Sequence, residues 1–79
     1  MEHIIELSSD EIKMAFVASC IEGAARRMGV SYREVYDRMN NVGMIEDYLL
    51  GCYDMLHTES REHVTDDVIE CLLNKEATR

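Results

Sequence analysis

Ala24-Ala25-Arg26-Arg27-Met28-Gly29-Val30-Ser31-Tyr32-Arg33-Glu34-Val35-Tyr36-Asp37-Arg38-Met39 reads as two helices joined by a Gly-Val-Ser turn. Gly29 can take the left-handed conformation that ends one helix, and Ser31 with Glu34 has the capping-box spacing that begins the next. Ala25 is small enough for a close helix crossing, and Val30 and Val35 supply apolar contacts around it. This pattern also suits a DNA-binding helix-turn-helix. The chain, however, carries a net charge of −8, and DNA repels such a charge on average.

The charge is uneven. Ala24 to Asn41 holds four arginines against Glu34 and Asp37, which gives +2 for the motif and leaves −10 for the rest of a chain at −8. A DNA reading therefore rests on Arg26, Arg33 and Arg38. The exposed positions of its recognition helix would be Arg33, Glu34, Asp37, Arg38 and Asn40, two of which repel phosphate. Three residues past Val35, where helix-turn-helix repressors place an apolar residue, stands Arg38, with Met39 one position later. A helix pair of this kind is also a common way to build a small helical bundle.

Outward from the motif, caps and glycines delimit further helices in a chain without proline. Ser8-Ser9-Asp10-Glu11 offers a capping box, and Ile12, Phe16, Cys20, Ala24 and Met28 recur every four residues after it. Met14, Val17, Ile21 and Ala25 add a second apolar stripe, so the first helix, Ser9 to Met28, is expected to be central. The second helix should bury Tyr32, Val35, Tyr36 and Met39 and end near Asn41. A third begins at Met44, with Ile45, Leu49, Cys52 and Leu56 on one side, Tyr48 and Met55 beside them, and a kink or break at Gly51. A last helix capped by Thr65 or Asp66 turns Val68, Ile69, Leu72 and Leu73 inward. His57 to Val64 reads as a connector. Residues 1–7 read as extended or flexible, with Ile4, Ile5 and Leu7 able to pair with Glu62-His63-Val64, and the tail 75–79 as frayed.

The expectation is one all-α domain over 1–79, a small four-helix domain containing a helix-turn-helix-like pair. At 79 residues such a domain buries only a little over ~60% of its unfolded surface, so a partner or a homodimer is a fair expectation. No apolar run approaches the roughly 20 residues that cross a bilayer, and the N-terminus lacks a secretion signal, so no membrane role and a cytoplasmic location are expected. Cys20, Cys52 and Cys71 are odd in number and widely spaced, and read as reduced core residues. A zinc site built from them with His3, His57 or His63 lacks the short ligand spacing such sites use. Neither metal nor cofactor is expected.

The string Ile45-Glu46-Asp47-Tyr48-Leu49-Leu50-Gly51-Cys52-Tyr53-Asp54-Met55-Leu56-His57-Thr58, followed by Asp66-Asp67-Val68-Ile69, resembles a family of very short uncharacterised bacterial proteins known only as a domain of unknown function. The likeness runs from about Phe16 to Leu72, over a Gly-Val-Ser turn, a Tyr-Asp-x-Leu-His-Thr segment and an Asp-Asp-hydrophobic-Ile helix. What it implies is a gene that often lies beside one for an ADP-ribosyltransferase-like toxin, and hence an antitoxin or accessory role.

Asp54 and His57 are three residues apart and share a helix face, which lets a carboxylate orient an imidazole. A catalytic site would still need a nucleophile and a pocket, for which a domain of this size has little room. His57 and Thr58 serve better as caps of a helix end. The chain is therefore expected to be no enzyme but an acidic protein-binding module. Glu46, Asp47, Asp54, Glu59, Glu62, Asp66, Asp67 and Glu70 would attract a basic partner, or simply form a solvated face. Tyrosines (Tyr32, Tyr36, Tyr48, Tyr53) and methionines (Met14, Met28, Met39, Met44, Met55) would supply the apolar anchor. The residues assigned to partner binding are Tyr48, Tyr53, Asp54, His57, Thr58, Asp66 and Asp67. A helix-turn-helix transcriptional regulator binding DNA as a dimer is the alternative.

Overall fold

The computed structural model describes residues 9–78, which form an all-α domain. The elements are α1 (Ser9–Met28), α2 (Tyr32–Asn41), a π-helical segment (Ile45–Leu50), α3 (Tyr53–Leu56) and α4 (Arg61–Ala77). Expectations placed on residues 1–7, on His3 and on the Ser8 cap lie outside the described residues. Among those described, no helix is long and apolar enough to cross a membrane.

Local chemistry accounts for each helix end in the expected pair. Asp10 and Glu11 sit in the first turn of α1 and Arg26 and Arg27 in its last, matching the helix dipole. Gly29 adopts φ +74, where a side chain would be strained. The amides of Gly29 and Val30 both donate to the Ala25 carbonyl, at 2.9 and 3.1 Å, which closes the helix. Ser31 Oγ then accepts from the Glu34 amide at 3.0 Å and opens α2.

The core sits around α1, which packs against α2, the π-helical segment and α4. Val17, Cys20, Ile21, Ala24 and Ala25 meet Val35 and Met39 of α2, Met44, Leu49 and Leu56 of the middle segments, and Val64, Val68 and Leu72 of α4. Gly23 faces Thr65 of α4. A Cβ added there would lie 3.0 Å from Thr65 Oγ1, and Thr65 is buried with that hydroxyl donating to the Arg61 carbonyl at 2.9 Å.

The third helix breaks at Gly51, as its sequence suggests, but its first part is wound as a π-helix. The Gly51 amide donates to the Glu46 carbonyl five residues back, at 3.1 Å, and the Cys52 amide returns to a four-residue step on Tyr48, at 2.9 Å. This winding leaves no room for a side chain, since a Cβ on Gly51 would lie 2.6 Å from the Asp47 carbonyl oxygen.

Several boundaries and faces differ from expectation. α4 starts at Arg61, because Ser60 Oγ accepts from the His63 amide at 3.2 Å and caps it; the second half of the expected connector is thus helix. The tail expected to fray continues as helix through Ala77. There Arg38 donates to both carboxylate oxygens of Glu76, at 2.9 and 2.7 Å, tying α4 to α2. Ile12, Met14, Tyr32, Tyr36, Met55 and Leu73, read as inward-facing or as stripe members, are exposed. An α-helix of 20 residues rises ~1.5 Å per residue, so among the described residues the first turns of α1 extend past the buried core.

Candidate functional site

Three separate clusters hold the residues to which the sequence points. At one end, α3 carries Tyr53 and leads into His57. The Tyr53 ring meets Phe16 of α1 edge-on, with centroids 5.3 Å apart, and stacks on the His57 imidazole at 4.4 Å and 4°. Lys13 Nζ lies 5.7 Å from the Tyr53 centroid, within cation–π range. His57 Nδ1 donates to the Tyr53 carbonyl at 2.7 Å, and Thr58 Oγ1 donates to the Met55 carbonyl at 2.9 Å. Both side chains therefore bond carbonyls at the end of α3, and the Tyr53 carbonyl also accepts from the His57 amide at 3.0 Å.

Beside this stack lies a cleft of about 250 Å³, lined among others by Phe16, Ser19, Cys20, His57, Arg61 and Thr65. Its chemistry is quiet. Burial pushes the Cys20 thiol up to about 11, with Arg61 acting weakly in the other direction, so the nucleophilic thiolate is scarce at neutral pH. Ser19 Oγ donates to the Phe16 carbonyl at 2.8 Å, and Thr65 Oγ1 to that of Arg61. Neither hydroxyl is paired with a general base.

On another face, Glu59, His63 and Asp67 follow one another at four-residue steps along α4 and the residue just before its cap. His63 Nε2 lies 3.7 Å from Glu59 Oε1 and 3.6 Å from Asp67 Oδ2, and one ligating atom from each of the three falls within 4.8 Å of the others. Tyr48 of the π-helical segment faces this row. Burial, followed by Cys71, Asp67, Cys52 and Glu59, pushes its phenol up to about 12. Cys71 is likewise raised, first by burial, with Lys75 opposing and Cys52 adding to it. The Glu59-x3-His63-x3-Asp67 spacing was readable in the sequence, but only once α4 is known to begin at Arg61 do the three align.

The third cluster belongs to the α1–α2 pair. Arg26 bonds Glu22 at 3.0 Å and Arg33 bonds Asp37 at 3.2 Å. Arg27 pairs with Asp66 of α4. Arg38 pairs with Glu76 and reaches Glu34 at 3.6 Å; the hydrogen bond it donates to Glu76 is the first cause of its raised pKa. Every arginine of the motif thus lies beside a carboxylate of the same chain.

The residues assigned to partner binding do not converge. His57 and Thr58 bond carbonyls at the end of α3, whose first residue Tyr53 stacks on His57, with Asp54 exposed beside them. Tyr48 and Asp67 share the α4 row, and Asp66 is engaged by Arg27. The methionines disperse as well: Met39 and Met44 are fully buried, whereas Met14 and Met55 are exposed. The cysteines collect no histidine ligands among the described residues, and Glu59 and His63 are the site residues absent from the assigned set.

A family model described as a protein of unknown function (DUF3791) matches residues 15–75. No curated protein and no solved structure matches the chain.

Proposed function

We propose, from the premise that this chain belongs to the DUF3791 family of proteins of unknown function, that it is a non-catalytic, acidic protein-binding module acting in the cytoplasm. The observation that carries this reading is the internal pairing of Arg26, Arg27, Arg33 and Arg38 with Glu22, Asp66, Asp37 and Glu76. A carboxylate beside each guanidinium cancels most of the field that would hold a helix against phosphates. Glu46, Asp47, Asp54, Glu62 and Glu70 meanwhile stay exposed, which supports attraction of a basic partner. The raised thiol of Cys20 and the occupied hydroxyls beside it support a role without catalysis. For the partner we favour a toxin encoded beside the gene, bound by this chain as an antitoxin or accessory protein, alone or as a homodimer.

A DNA-binding regulator is the second reading, favoured by the left-handed Gly29 and the Ser31 cap of the turn. Titration into a fluorescent duplex of native upstream sequence, at low and at physiological salt, separates the two. Protein binding as the function predicts no anisotropy change attributable to the motif. Binding that weakens steeply with salt and disappears in the Arg26→Ala, Arg33→Ala, Arg38→Ala variant would establish the regulator instead.

A further inference from the structure

We propose that Glu59, His63 and Asp67 form a binding site for a divalent transition-metal ion of the Zn2+ class. The three side chains differ from an ordinary acidic surface in how they meet. Hydrogen bonds between nitrogen and oxygen centre on ~2.9–3.0 Å and fade beyond ~3.2 Å, yet His63 Nε2 stands 3.7 Å from Glu59 Oε1 and 3.6 Å from Asp67 Oδ2. The three groups therefore converge at ion-pair distance while lying beyond hydrogen-bond range of one another. Those separations are the ones a metal requires. Ligands at roughly 2.0–2.2 Å from a tetrahedral ion lie roughly 3.3–3.6 Å apart, so both edges that meet at His63 are already near their bound length. The remaining edge is closed by rotating carboxylates, since all three ligating atoms fall within 4.8 Å of one another.

The backbone holds this arrangement in place. The Glu59 amide donates to the Leu56 carbonyl at 3.1 Å, and Ser60 fixes the start of α4 by accepting from the His63 amide. Glu59, His63 and Asp67 then recur on one helical face, with Val64, Thr65 and Val68 of the same helix buried against the core. One imidazole and two carboxylates suit a borderline ion, for which imidazole is a good ligand, better than Ca2+ or Mg2+, which take all-oxygen shells. Two negative charges on the ligands match a dication. His63 and Glu59 are exposed, so the remaining coordination position opens to solvent.

Isothermal titration of the full chain with ZnCl2 tests the site. A His3→Ala background removes the N-terminal histidine as a competing ligand. One Zn2+ per chain is expected, with His63→Gln and Asp67→Asn each weakening binding by at least the roughly 10–100-fold that losing even an outer-sphere partner costs. Both variants should keep the far-ultraviolet circular dichroism of the parent, since neither residue is in the core. In NMR spectra, Zn2+ should shift the His63 ring proton resonances and leave those of His57 in place. Absence of Zn2+ binding, affinity unchanged by His63→Gln and Asp67→Asn, or shifts confined to His57 would overturn the proposal.

Discussion

A methyl group at residue 51 would sit 2.6 Å from the Asp47 carbonyl oxygen, a contact that only backbone movement relieves. Gly51→Ala should therefore cost about 1–3 kcal/mol, as overpacking typically does, measured as a lower urea midpoint; an unchanged midpoint would mean that the π-helical turn relaxes freely. The break at Gly51 was legible because glycine weakens a helix. The π-winding before it was not, since a five-residue hydrogen-bond step leaves no pattern in side-chain type. Cys20 gives a prediction about pH. Its thiol moves from 9.0 to about 11 on folding, so folding favours the protonated form. That contribution is complete below pH 9 and is lost as pH rises toward 11, by about 2–3 kcal/mol at ~1.36 kcal/mol per unit. Urea midpoints measured from pH 8 to 11 should fall, and Cys20→Ala should flatten the slope whatever it does to stability at pH 8.

Among the elements, α2 and α4 are joined by the bidentate pair of Arg38 and Glu76, whose side chains are each 29% exposed. Arg33 and Asp37, by contrast, lie along α2 with 82% and 51% of their side chains exposed. Arg38→Ala should cost about 1–2 kcal/mol, within the range of partly buried charge-assisted bonds, and should speed amide exchange in the last turn of α4. Arg33→Ala should stay within about 0.5 kcal/mol, and equal losses in the two variants would contradict this ranking. Ser60→Ala removes the α4 cap and should cost about 0.5–2 kcal/mol, read as the same urea shift. The start of α4 escaped the sequence reading because Ser60-x-x-His63 lacks the glutamate of a capping box. Its extension to Ala77 rests on a partner 38 residues away, which no local pattern reveals.

Over the whole molecule, the all-α architecture and the α1–α2 pair were legible because caps, glycines and apolar spacing agree along most of the chain. The candidate site was much less so. Tyr48 and Asp67, Tyr53 and His57, and Asp66 with Arg27 end on different parts of the surface, because long-range packing decides which helix faces meet. The pairing of Arg27 with Asp66 and of Arg38 with Glu76 also sets a carboxylate of α4 beside two of the motif's arginines, which the local charge along the chain does not reveal. The proposed function has the exposed carboxylates recruit a basic protein. Affinity capture from the native host tests it most directly, using the full chain and a Glu46→Gln, Asp47→Asn, Glu62→Gln, Glu70→Gln variant of equal helicity. A protein partner should be retained by the parent, released as salt rises, and largely lost from the variant. Retention of no protein, or of nucleic acid that depends on Arg26, Arg33 and Arg38, would contradict it.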